Sequence, residues 1–220
     1  MSTGDIIQWK PIEQWSPTAF LIAGVLLLGY ATLQGINSFL SVSLPSAVLV
    51  LYGGIALLVP VFALLGLYPR LRGRAPRLAF TGIATAVLSG ILTFVSLLWL
   101  VVTILQMGSL PEIPADAPAW TAAATLLGFL LLAVSFLLIG VASLRTPDVS
   151  RIIGFLLLVP TAAWVGLVLG NMILNPEGHY LAVIAYTPIS IAVLAVGYRL
   201  RTTRVPSDRA ELATTEARHD

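Results

Sequence analysis

The sequence predicts an all-α integral membrane bundle of six transmembrane helices, and three observations predict it. Hydrophobic residues make up 58% of the 220 residues, charged residues only 10%, and the mean hydropathy is +0.95. Soluble domains carry about 25% charged residues. The chain also contains six apolar runs of about 20 residues or longer, which is the length that crosses a bilayer. Finally, the basic residues lie only between alternate runs or outside them.

Polar and turn-forming residues mark the ends of the six predicted spans. The spans are 17–40, 45–68, 78–107, 119–144, 152–174 and 180–198. The segment 1–16 precedes them and is predicted to be cytoplasmic or interfacial, because its tryptophans are typical of membrane interfaces. The tail 199–220 follows them and is predicted to be polar and cytoplasmic. Together the spans form one transmembrane domain.

The order of links along the chain sets the expected packing. Ser16 followed by Pro17 is typical of a helix start, with serine as N-cap and proline at the first position. The link 41–44 is so short that spans one and two are predicted to form an antiparallel hairpin.

Span three, at about 1.5 Å per residue, is longer than a bilayer core of about 30 Å. We therefore expect it to tilt or to project from the membrane.

The arginine loop, residues 69–77, fixes the predicted topology. It carries Arg70, Arg72, Arg74 and Arg77 between two apolar runs. With the amino terminus inside, all 12 lysine and arginine residues fall on the inner side. The positive-inside rule then predicts a protein of the cell membrane with both termini cytoplasmic. The same four arginines are predicted to contact anionic lipid headgroups.

Aspartate, glutamate, lysine, arginine and histidine are all missing from the predicted spans. Proton relays, gating charges and most intramembrane catalysis need such groups at membrane depth, so we expect no enzymatic activity. The chain has no cysteine, and its histidines, His179 and His219, lie outside the spans. We therefore predict no metal site, no cofactor and no catalytic residue. The basic residues lie in short loops and a tail, which does not indicate nucleic-acid binding.

Uncharged polar side chains occur near the span ends that lie opposite the arginine loop. The six candidate ligand-binding residues are Gln34, Asn37, Tyr52, Gln106, Asn171 and Tyr186. One interpretation is an outward-facing cup for an uncharged or cationic small molecule, with a rim formed by Glu112, Asp116, Glu177 and His179. The other is that the amides contact water or join helices through hydrogen bonds.

Prolines interrupt three spans. Pro60, Pro160 and Pro188 each remove a backbone donor, which predicts helix kinks at a similar membrane depth. Such kinks open a cavity, act as hinges, or simply bend the helix.

Span five carries two further signals. Gly166 and Gly170 form a GxxxG pattern, which allows close helix packing within the bundle or in a homo-oligomer or partner complex. Trp164 lies near the middle of the membrane, so we expect it to face the bundle and to find a partner for its N–H.

Two functions of different classes are consistent with these features. The first is a non-enzymatic membrane component that packs with lipid or protein partners. The alternative is a small permease or ligand-binding membrane protein that uses the polar cup. Solvent access to the cup would distinguish them.

Overall fold

A computed structural model describes residues 4–40, 44–107, 118–147, 149–174 and 180–203, and every regular element in these ranges is an α-helix. The helices are α1 (Gly4–Phe39), α2 (Ser46–Leu65), α3 (Tyr68–Leu71), α4 (Pro76–Met107), α5 (Ala119–Leu144), α6 (Arg151–Leu174) and α7 (Tyr180–Thr202). Among the described residues, six helices are long and apolar enough to cross a membrane. This confirms the predicted six-span bundle, and the short α3 forms part of the arginine loop.

Prolines mark where several of these helices begin. Pro45 and Pro118 stand immediately before α2 and α5, and Pro76 is the first residue of α4. The fixed φ of proline suits a helix start, where its missing N–H costs nothing. The helix bounds therefore follow closely from the sequence at these three places.

The six long helices form a closed ring in the order α1, α2, α4, α5, α6, α7, and α7 packs back against α1. Contacting residues run in opposite directions along neighbouring helices. On α4 and α5, for example, Gly82 lies against Ile139, whereas Gly128 lies against Thr93. Neighbours are thus antiparallel, which confirms the hairpin predicted for the first two spans. The arginine loop, the start of α1 and the end of α7 consequently lie at one end of the bundle.

The contact between α1 and α7 closes the ring and brings two backbones together. A Cβ atom on Gly197 would lie 2.9 Å from the Pro17 carbonyl oxygen and from the Leu21 nitrogen. A Cβ on Gly24 would lie 2.9 Å from the Leu194 nitrogen. Such distances exclude any side chain at these two positions without separation of the helices, so glycine allows the closest approach in this part of the ring.

Hydroxyl groups connect neighbouring helices through main-chain carbonyls. Ser89 of α4 donates to the Gly128 carbonyl of α5 at 2.6 Å, and Ser135 of α5 donates to the Gly82 carbonyl of α4 at 2.7 Å. Thr161 of α6 donates to the α5 carbonyl of Ala133 at 2.9 Å. Such bonds fix the register of α4, α5 and α6 without placing a charge in the apolar interior.

The first helix starts earlier than the sequence predicted. It begins at Gly4, so Pro17 lies inside α1 and Ser16 is not its N-cap. The Ser16 hydroxyl instead donates to the Ala63 carbonyl at 3.0 Å, near the end of α2 where carbonyls lack intrahelical partners. One turn earlier, Glu13 forms a 2.9 Å ion pair with Arg70. Tertiary contacts with α2 and α3 therefore replace the local start signal.

The three predicted kink residues lie inside helices: Pro60 in α2, Pro160 in α6 and Pro188 in α7. Pro60 and Pro160 are buried, whereas Pro188 is exposed. Each removes one intrahelical hydrogen bond, and the bending that this predicts remains a prediction.

Candidate small-molecule site in the bundle interior

Two of the six candidate ligand-binding residues, Gln34 and Tyr186, both contact the side chain of Tyr30. Gln34 is only 7% exposed, and its Nε2 donates to the Tyr30 hydroxyl at 2.8 Å. The Tyr30 ring meets the buried Tyr186 ring edge-on, with 4.9 Å between centroids. Gln34 and Tyr186 thus belong to one interior group, and Tyr30 connects them.

The remaining candidate residues lie elsewhere. Asn37 accepts a hydrogen bond from the Leu44 backbone N–H at 3.1 Å, which holds the link between α1 and α2. Tyr52 packs over Gly29 on α1, and Gln106 is exposed near the end of α4. The side chain of Asn171 lies outside the described residues, as do the predicted rim residues Glu112, Asp116, Glu177 and His179.

Tyrosine and glycine pair reciprocally between α1 and α2. Tyr30 of α1 covers Gly53 of α2, where a Cβ would come within 2.7 Å of the ring, while Tyr52 covers Gly29 in the opposite sense. Because neither glycine has a side chain, each tyrosine can pack closely against the neighbouring helix. This packing places the Tyr30 ring beside Tyr186 in the interior.

An aromatic cluster continues from Tyr186 across the ring of helices. Phe129 of α5 lies 6.4 Å from Tyr186 and 4.8 Å from Trp164 of α6, measured between ring centroids. Phe136 completes the cluster at 5.7 Å from Trp164. Edge-to-face and tilted contacts of this kind add about 0.5–1.5 kcal/mol beyond area burial, so the cluster ties together α1, α5, α6 and α7.

Beside this cluster lies a cavity of about 200 Å³. Leucines, Phe129 and glycines 53, 54 and 128 form much of its wall, and five helices contribute to it. The polar side chains in its lining all carry hydroxyl groups; they are Tyr30, Ser89, Thr93, Ser96, Thr125 and Tyr186. The cavity therefore offers hydrogen bonds without charge.

The hydrogen bonds that these hydroxyls form within the protein determine whether each can still donate to a ligand or only accept from it. Ser96 and Thr125 donate to carbonyls of their own helices, and Ser89 donates across to Gly128. With their protons used, these three oxygens can only accept from a ligand. Tyr30 accepts from Gln34, so its own proton is available for donation. The cavity thus presents acceptors on the α4 and α5 side and a donor on the α1 side.

Within the described part of the chain, three buried side-chain atoms lack a hydrogen-bond partner: Gln34 Oε1, Trp164 Nε1 and Ser143 Oγ. Trp164 is 2% exposed, which confirms that it faces the bundle. The prediction that its N–H finds a partner is wrong. Tyr186 is close enough to interact with the indole, but the N–H does not reach hydrogen-bonding geometry. Shape and burial therefore hold Trp164 in place.

A second opening adjoins the cavity. This crevice of about 430 Å³ shares Val50, Ser96, Thr125 and Phe129 with the cavity wall. Val50 is 43% exposed and Leu126, on its edge, is 58% exposed. Trp99 also lines the crevice and meets Trp120 edge-on at 6.3 Å. The cavity is therefore bordered by a route to the protein surface in the half of the bundle opposite the arginine loop.

Comparison with protein-family models, curated proteins and solved structures gives no match. Among the described residues, no group of three histidine, aspartate or glutamate side chains could hold a metal ion. Any chemistry of the site therefore has to be inferred from its geometry.

Sequence reasoning identified Tyr186 and missed the other five hydroxyl residues of the cavity. A signal for three of them was present, because Ser89, Thr93 and Ser96 follow one another at intervals of four and three residues on α4. That spacing places them on one helix face. The amides Asn37, Gln106 and Gln34 do not line the cavity, whereas these hydroxyl side chains do.

Proposed function

We propose that this multi-pass membrane protein binds a small uncharged molecule in the cavity between Tyr30, Thr93 and Tyr186, as a ligand-binding protein or small permease. One observation carries the proposal. The interior cavity has hydroxyl side chains and no charged side chain in its lining, and it lies beside a surface crevice. The protein acts without enzymatic chemistry, because no aspartate, glutamate, lysine, arginine or histidine occurs in the predicted spans. It lies in the cell membrane with cytoplasmic termini.

The cavity volume limits the size of the ligand. An apolar cavity of about 150 Å³ binds benzene, so about 200 Å³ suits a molecule of roughly eight non-hydrogen atoms. The predominantly apolar wall favours a hydrocarbon body, and the hydroxyls orient one polar group.

The lining also disfavours charge. A cation or anion would lose its hydration shell in this cavity, and the lining residues carry no opposite charge to compensate. This narrows the expected ligand from an uncharged or cationic molecule to an uncharged one. A hydroxyl group on the ligand would both donate to Ser96 or Thr125 and accept from Tyr30.

One observation favours the other function, a membrane component that packs with lipid or protein partners. On α6, Gly166 is exposed, and a Cβ at this position would meet no atom within 4 Å, whereas Gly170 packs near Leu181. Only one glycine of the GxxxG pattern is thus used within the bundle. Disulfide formation by Gly166→Cys in native membranes would support a homo-oligomer at this face, and a purely monomeric result would count against one.

Thermal unfolding of the purified full chain in detergent, with phenol as the probe, tests ligand binding. A ligand that binds only the folded state stabilises it by RT ln(1 + [L]/Kd). We expect phenol to raise the Tm of the wild-type protein and to have little effect on Thr93→Leu, in which leucine fills the cavity. Thr81→Leu is the matched control, because Thr81 is exposed on the same helix.

The acceptor oxygen of Thr125 can be tested at constant volume. Thr125→Val should weaken phenol binding about fivefold, the equivalent of one ordinary hydrogen bond of about 1 kcal/mol, and leave benzene binding unchanged. If phenol shifts Thr93→Leu and Thr81→Leu equally, the stabilisation comes from the detergent phase and the proposal is wrong.

A further inference from the structure

A cleft of about 500 Å³ opens in the arginine loop, far from the interior cavity. It is lined by Pro69, Arg70, Gly73 and Arg74. Arg70 belongs to the short helix α3, and Arg74 lies one turn further along, in the turn before α4. Two arginine residues therefore border the same opening, which is an arrangement suited to an anion.

Arg70 is held in position. Its Nε donates to Glu13 of α1 at 2.9 Å, and both side chains are partly buried. The ion pair uses the Nε edge of the guanidinium, and the terminal amino groups make no hydrogen bond to the described residues. A positioned arginine loses less side-chain entropy when it binds a second partner.

The backbone adds a third donor to the cleft. In the turn after α3, Arg72 donates its N–H to the Tyr68 carbonyl, and Arg74 donates to the Leu71 carbonyl. The N–H of Gly73, between them, donates to no acceptor in the described chain. Gly73 is exposed, and a Cβ at this residue would meet no atom within 4 Å. The Gly73 N–H is therefore a donor without a protein acceptor on an exposed residue of the cleft.

We propose that the Arg70–Gly73–Arg74 cleft binds the phosphate of one anionic phospholipid headgroup. Two guanidinium groups and a backbone N–H match the oxygens of a phosphate diester. The cleft lies between the end of α2 and the start of α4, where two spans leave the membrane and where lipid headgroups are located. Arg72 and Arg77 are exposed but do not line the cleft, so they contribute only to the general surface potential.

The same loop supplies a matched pair of variants. Arg74→Gln removes a cleft arginine and leaves the Glu13 ion pair intact, whereas Arg72→Gln removes an equal charge two residues away. Native mass spectrometry of the full chain in detergent would measure binding of phosphatidylglycerol, with phosphatidylcholine as the neutral comparison. We expect Arg74→Gln to weaken phosphatidylglycerol binding about tenfold, as loss of a hydrogen bond from a charged group predicts. Arg72→Gln should bind like the wild-type protein.

Further measurements distinguish a specific lipid site from nonspecific electrostatic attraction and from a site for a soluble phosphate. Arg70→Gln/Arg74→Gln should lose the bound lipid entirely, and its Tm establishes whether the variant is folded. Equal weakening by Arg74→Gln and Arg72→Gln would show nonspecific electrostatic attraction and overturn the proposal. If soluble glycerol 3-phosphate displaces phosphatidylglycerol at similar concentrations, the cleft is a site for a soluble phosphate and the lipid assignment is wrong.

Discussion

Substitution of Gly197 by alanine should loosen the contact between α1 and α7 that closes the ring of helices. The added Cβ would lie 2.9 Å from two backbone atoms of α1, the Pro17 oxygen and the Leu21 nitrogen. Rotation of a side chain cannot relieve these contacts because the neighbouring atoms belong to the main chain. The two helices must separate instead.

The distance by which the two helices must separate determines how much unfolding free energy Gly197→Ala loses. Ordinary contacts begin near 3.4 Å, so α1 and α7 must move apart by about 0.5 Å. A gap of 0.5–1 Å forfeits a quarter to a half of the dispersion energy of each contact that it opens. Overpacking generally costs about 1–3 kcal/mol, and the extensive α1–α7 contact places Gly197→Ala at about 2 kcal/mol of lost unfolding free energy.

Gly166→Ala makes the same chemical change where a Cβ meets nothing within 4 Å. Its unfolding free energy should stay within about 0.5 kcal/mol of the wild-type value, as for most surface substitutions. Reversible unfolding in mixed micelles, followed by circular dichroism, measures both variants. Equal destabilisation by Gly166→Ala and Gly197→Ala, or a neutral Gly197→Ala, would refute the packing assigned to this seam.

Three further substitutions test individual interactions by the same unfolding measurement. Trp164→Phe removes an unpartnered N–H and also part of a buried ring, so the gain and the packing loss should offset to within about 1 kcal/mol; a loss above about 2 kcal/mol would contradict this account of the indole. Ser16→Ala removes the bond to the Ala63 carbonyl and should cost about 1 kcal/mol. Ser135→Ala removes the bond to the Gly82 carbonyl and should cost about 0.6 kcal/mol, the average for such bonds between membrane helices. No loss in either serine variant would contradict the corresponding contact.

The number and extent of the spans could be predicted because membrane insertion depends on local composition. Long apolar runs and prolines at helix starts are visible in the sequence, and α2, α4 and α5 begin within two residues of their predicted positions. The start of α1 could not be predicted in this way. The local signal at Ser16 is overridden by its contact with Ala63 and by the ion pair between Glu13 and Arg70.

The interior site was harder to predict because it depends on which helices are neighbours. Composition does not determine that α7 packs beside α1, and only this packing brings Tyr186 against Tyr30. Nor does the sequence reveal that Asn37 Oδ1 accepts a hydrogen bond from the Leu44 N–H, in the link between α1 and α2. Gly53 and Gly54 line the cavity, and their close contacts with Tyr30 of α1 and Leu97 of α4 form only once these helices are in place.

The central claim is that the ring of helices encloses a cavity that small uncharged molecules can enter. The chain contains no cysteine, so Thr93→Cys provides a single thiol in the cavity, and Thr81→Cys provides a control on the exposed face of α4. The measurement is the rate at which methyl methanethiosulfonate modifies each thiol in native membranes, with and without phenol. We predict that phenol slows the reaction at position 93 in a saturable manner and does not change it at position 81. An unreactive thiol at position 93, or equal effects of phenol at both positions, would contradict an accessible binding cavity.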